Sequence, residues 1–116
     1  MISFGNDIRV FLAIGVTDMR KSIDTLAILV AQQMDLDPLS GHMFAFCNRK
    51  RDTLKILYWD RNGFCIWHKR LERDLFRWPE SDSDVQSIDS RELRWLLDGL
   101  SIRQPAHGAL RYSVVS

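Results

Sequence analysis

The sequence predicts an α+β fold: a single domain with an antiparallel sheet of three to five strands and two main helices. Three observations lead there. Runs rich in branched and aromatic residues recur between turn signals. Two other segments carry apolar residues at helical spacing. Between residues 54 and 71, "LKILYWDRNGFCIWHKRL" reads as two strands around a tight turn. The 116 residues, 46% hydrophobic and 27% charged, suit one domain that buries a core without staples. That domain is taken as residues 1–116, with its core at about 8–100 and a tail, 101–116, that has no clear period.

The elements follow in order. "IRVFLAIG", residues 8–15, is the first strand. In "VTDMRKSIDTLAILVAQQM", Ile23, Leu26, Ala27, Val30 and Met34 form one stripe of a helix, and Asp18 or Ser22 offers the capping oxygen. Asp37-Pro38 and Ser40-Gly41 make a loop. "HMFAFCN" is the second strand, "RKRD" a charged turn, and "TLKILYWD" the third strand. Asp60, Arg61, Asn62 and Gly63 suit a type I turn closed by a glycine bulge. That register sets Tyr58 opposite Ile66, Leu57 opposite Trp67 and Trp59 opposite Cys65. A two-residue Asn62-Gly63 turn is also compatible and would exchange the faces. In the bulged register Leu54, Ile56, Tyr58, Phe64 and Ile66 share a core face. Lys55, Leu57, Trp59, Cys65, Trp67 and Lys69 share the other, with an apolar centre and cationic ends. "ESDSDVQS", after Pro79, reads as an acidic linker. "SIDSRELRWLLDGL" is the second helix. Asp89 and Glu92 form a capping box, Leu93, Leu96, Leu97 and Leu100 a buried stripe, and Gly99 the stop.

Composition narrows the function classes. No run approaches membrane-span length, and the N-terminus lacks the pattern of an export signal. Cys47 and Cys65 could form one disulfide, but without an export signal free thiols in a reducing cytoplasm are the expectation. The net charge of +1 conceals a split. Residues 48–77 hold nine Lys or Arg against four acids, a surplus of +5. Residues 78–98 hold two against six, a balance of −4. Such a split suits an anionic partner on one face, contact between the two parts, or scattered solvated charge.

"DMRKSID" at residues 18–24, "DPLSGHMFAFCNRKRDTLKILYWDRNGFCIWHKRLERDLFRWP" at 37–79 and the late "LRWLLDGL" resemble the TnpB accessory proteins of the insertion-sequence-66 family of bacterial transposable elements. The resemblance covers most of the chain in order and spacing. It implies a role in transposition beside a larger transposase and a second small accessory protein, with transposon-end DNA as the shared substrate. It supplies no active site. The RNA-guided nucleases that share the TnpB name belong to other transposons and are several times longer, and nothing here resembles their catalytic domain.

In that setting the cations are the nucleic-acid candidates. Arg49, Lys50, Arg51 and Lys55 cluster around the charged turn, and Lys69, Arg70 and Arg73 follow the hairpin. Arg20 and Lys21 at the first helix start join them. They would neutralise phosphates and release counterions. Trp59 and Trp67 are candidate partner-binding anchors, because aromatics ringed by polar groups are enriched at interfaces. Their plainer reading is packing within the sheet. The same face supports a second function, a protein-assembly module without DNA contact, and leaves room for self-association. Catalysis and metal binding are not expected. Asp18, Asp24, Asp60 and Glu72 each have a structural role at a turn, a helix start or an ion pair. Cys47, Cys65, His42 and His68 lack any close ligand pair, so no metal and no cofactor are expected.

Overall fold

The computed structural model describes residues 7–99. Leu100 of the expected helical stripe and the tail at 101–116 lie outside the described residues. The α+β architecture holds, with five strands and two helices: β1 (Val10–Ala13), α1 (Ile23–Gln32), β2 (Met43–Cys47), β3 (Thr53–Asp60), β4 (Gly63–Arg70), β5 (Val85–Ile88) and α2 (Ser90–Leu97). They form one sheet in the order β4-β3-β2-β1-β5. Every neighbouring pair is antiparallel except β1 and β2, which run parallel. The all-antiparallel expectation is corrected at that pair. α1 carries the chain back across the sheet between the two strands, and such a crossover yields parallel neighbours.

Helices cover both faces. Leu26, Val30 and Met34 of the α1 region pack on Phe44, Phe46 and Leu57. Leu93, Leu96 and Leu97 of α2 pack on Val10, Leu12, Ala45, Leu54 and Ile56, with Phe76 and Trp78 from the segment after β4. β2 lies in the middle, and all five of its residues are buried. A strand buried on both sides reads as a continuous apolar run, which is what "MFAFC" is. Ser22 caps α1, and Asp89 with Glu92 forms the expected capping box on α2. Ile23, expected in the α1 stripe, is exposed instead, at the first position of the helix.

Three further expectations are corrected. The hairpin pairs Tyr58 with Cys65, Ile56 with Trp67 and Trp59 with Phe64. This is neither register the turn residues suggested. The loop is Arg61-Asn62, and its left-handed residue is Arg61 (φ 58°), while Gly63 begins the strand. Pattern does not select the register here, because β4 is apolar on both faces and both faces meet a helix layer. Tyr58 and Trp67 therefore join the α2 side, while Phe64 and Ile66 join the α1 side. The last correction is β5, within the stretch read as a linker.

Candidate nucleic-acid interface

Three chain segments converge on one end of the sheet. At the end of β2, Asn48 organises the charged turn. Its side-chain oxygen accepts from the backbone N–H of Asp52 and of Thr53, both at 3.1 Å, and its amide donates to the Asp52 carboxylate at 2.8 Å. That amide bond, with a second from the Thr53 hydroxyl at 3.1 Å, holds the Asp52 carboxyl below the usual carboxylate range. Arg51 closes the turn with a left-handed backbone (φ 66°). Arg49 and Lys50 at the tip are exposed.

The chain leaving β4 docks against this turn. Leu71 N–H donates to the Asp52 carbonyl at 2.8 Å, and Phe76 N–H to the Arg51 carbonyl at 2.7 Å. Arg70, Arg73 and Arg77 therefore join Arg49, Lys50 and Arg51. Residues 48–52 and 70–77 together hold six cations against three carboxylates, a surplus of three. Arg70 meets Glu72 at 3.3 Å, but both side chains are mostly exposed, and such a pair is worth only about 0–1 kcal/mol.

The entry to α1 arrives from the other side. Thr17 N–H donates to the Cys47 carbonyl at 2.9 Å, bringing Arg20 and Lys21 to the same end. Arg20 grips Asp18 at 2.8 Å, which holds the Asp18 carboxyl well below its ordinary range and raises the guanidinium.

Not all the sequence candidates offer an unengaged charge. Lys55 Nζ donates to the Met19 carbonyl at 2.6 Å, tying the α1 entry to the sheet. Lys69 Nζ donates to the Leu97 carbonyl at 3.1 Å, and Arg77 Nε to the Gly99 carbonyl at 3.2 Å. Cations suit the end of α2, where helix carbonyls lack partners and the dipole is negative. Arg51 lies over the Trp78 ring, 6.0 Å from its centroid. Together they border a groove of about 880 Å³, where Arg51, Arg73 and Arg77 alternate with Asp74, Glu80 and Asp98. Nothing local in the sequence announces that the α1 entry and the end of α2 reach this place. Both depend on long-range pairing.

The aromatics are packed rather than displayed. Trp78 is buried, and its indole N–H donates to the Ala13 carbonyl at 2.9 Å. Trp67 is half-buried against the α2 cluster. Trp59 is half-buried and meets Phe64 edge to face, with centroids 5.1 Å apart. Cys47 and Cys65 are free thiols, and burial pushes the Cys47 thiol up. Cys47 pairs with Leu54 and Cys65 with Tyr58. Four residues along a strand are about 13 Å, too far for a disulfide. Among the described residues, no three His, Cys, Asp or Glu side chains gather into a metal-binding group, and no helix is long and apolar enough to cross a membrane.

The chain as a whole is similar to known proteins. A family model described as IS66 Orf2 like protein matches residues 8–107. A protein of Sinorhizobium fredii (strain NBRC 101917 / NGR234) described as uncharacterized protein y4hO is 37% identical over 105 residues, covering 90% of this chain and 91% of its own. A second from the same strain, described as uncharacterized protein y4jC, is 29% identical over 100 residues, 86% of each chain. No solved structure gives a significant match.

Proposed function

The chain belongs to the IS66 Orf2-like family, whose role is accessory to transposition, and we propose that it serves that role by gripping DNA phosphates through the basic end of its sheet. The reading is of a non-catalytic protein, acting in the cytoplasm on transposon ends beside the transposase and a second accessory protein. One observation carries it: backbone bonds from Leu71 and Phe76 hold two cationic segments against each other, with a surplus of three positive charges. A phosphate backbone rewards such a cluster at any base sequence. Arg49, Lys50, Arg70 and Arg73 are the principal contacts in this reading, with Arg20 and Lys21 at the margin. Lys55, Lys69 and Arg51 steady the surface from behind, because their charges already serve carbonyls or a ring.

The test is a salt-titrated binding assay on transposon-end DNA, with the protein alone and with the transposase. Changing Arg49, Lys50 and Arg73 together to Ser removes exposed cations, so melting should hardly move. Affinity should fall on every DNA sequence, and the salt slope should shrink by up to about 0.9 for each phosphate no longer neutralised. Wild-type protein without salt-dependent DNA affinity under either condition would remove this reading. The protein-assembly module would then stand, with Trp59 and Trp67 as its candidate anchors.

A further inference from the structure

The two margins of the sheet differ in a way the backbone pairing makes plain. Antiparallel neighbours alternate between residues that bond to the partner strand and residues whose N–H and C=O point away from it. Leu71 N–H bonds the Asp52 carbonyl, and Asn48 N–H bonds the Thr53 carbonyl. Counting along the register, Gly63, Cys65, Trp67 and Lys69 turn their backbone toward β3. Phe64, Ile66, His68 and Arg70 turn theirs outward. At the opposite margin, Ile14 N–H bonds the Asp84 carbonyl, which leaves only Val85 and Ser87 of β5 facing outward. β5 is blunted by shortness, a common protection for an edge. Among the described residues β4 has no such protection: eight residues, no proline, an unbroken register, and the half-exposed apolar run Phe64, Cys65, Ile66 and Trp67.

We propose that β4 pairs with β4 of a second copy, antiparallel about a two-fold axis at Trp67. The placement of charge fits this occupant and sets the direction. The cations of β4, Lys69 and Arg70, lie at one end. Antiparallel pairing centred on Trp67 sets Phe64 opposite Arg70 of the other copy, Cys65 opposite Lys69 and Ile66 opposite His68. Each cation then meets an apolar residue, and Arg70 meets an aromatic face. The two Arg70 positions fall about 20 Å apart along the strands. A parallel arrangement would set like charges side by side. All four outward residues find partners, as a self-complementary two-fold contact requires. The two copies share a ten-stranded sheet, with both α1 helices on one face and both α2 helices on the other. The pairing does not depend on the DNA reading and would survive its failure.

Sedimentation or light scattering of the full chain should give twice the 13.6 kDa monomer mass. Amide exchange should show concentration-dependent protection at Phe64, Ile66, His68 and Arg70, while Cys65, Trp67 and Lys69 stay protected on dilution. Ile66→Pro removes an N–H that points away from β3, so it should give a folded monomer. If Ile66→Pro does not fold, the exchange pattern of the wild type still decides. A wild-type chain that is monomeric at about 100 μM, far above the roughly micromolar dissociation constant of even a modest interface, with those four amides exchanging freely, overturns the proposal. So does protection that appears only when the transposase is added, which would assign the edge to a strand of that partner.

Discussion

Arg61 holds a left-handed backbone with no glycine to ease it, while Gly63, two residues on, sits in ordinary strand geometry. A side chain in that conformation costs roughly 1–2 kcal/mol. Arg61→Gly should therefore stabilise the protein by up to about 1 kcal/mol, after the entropy glycine adds to the unfolded chain. Gly63→Ala should be nearly neutral, since a Cβ there meets nothing within 4 Å. Urea midpoints check both. The glycine-bulge register reverses the order, with Gly63→Ala destabilising and Arg61→Gly without benefit. Asp52 gives a second test, in pH. Its folded-state carboxyl titrates below the ordinary value of 3.8, chiefly because the Asn48 amide bonds the charged form. A lowered value means stability present above the unfolded-state value and lost as pH falls through the folded one. The stability gap between wild type and Asp52→Asn should thus be present at pH 6–7 and close below about pH 4. A gap that widens in acid would refute the role given to Asn48.

Among the elements, legibility followed local chemistry. The box on α2 was written in Asp89 and Glu92, and the structure closes it with bonds of 2.8 and 3.0 Å. β2 was legible because "MFAFC" is buried on both sides. β5 was not. Only Ile88 of its four residues is buried, and the acidic residues before it read as solvent-facing chain. Its strand character comes from β1, which lies far away in sequence. The hairpin register failed for a related reason: turn propensity was the sole local guide, and burial on both faces outweighed it. The basic residues of the candidate interface were visible one by one. Their gathering was not, because it needs Leu71 and Phe76 to bond the turn at 48–52. α2 spans eight residues, short enough that its cap matters. Asp89→Ala should cost about 1 kcal/mol by denaturant titration. Ser22→Ala on α1 should cost less, because that capping bond is longer, at 3.3 Å. The opposite order would contradict the account of the two helix starts.

At the scale of the whole molecule, the fold is fastened by bonds between distant parts of the chain. Trp78 reaches back to Ala13, Lys69 to the end of α2, and Arg9 to Ser87. A chain ending at residue 84 loses β5 and α2 together, and with them the cover over Val10, Leu12, Leu54 and Ile56. It should show no cooperative melting transition and should sediment as aggregate, and a folded monomer from that truncation would refute the assignment of a shared core. The position of β5 also sets a timetable for synthesis. The partner of β1 lies 78 residues downstream of Arg9, which the ribosome adds roughly 4–16 s later at typical elongation rates. Through that interval β1 is an unanswered apolar edge on a nascent chain, a natural client for holding chaperones. A stop codon ahead of residue 85 would make that interval permanent, so its product should be a target for degradation rather than a shorter working protein.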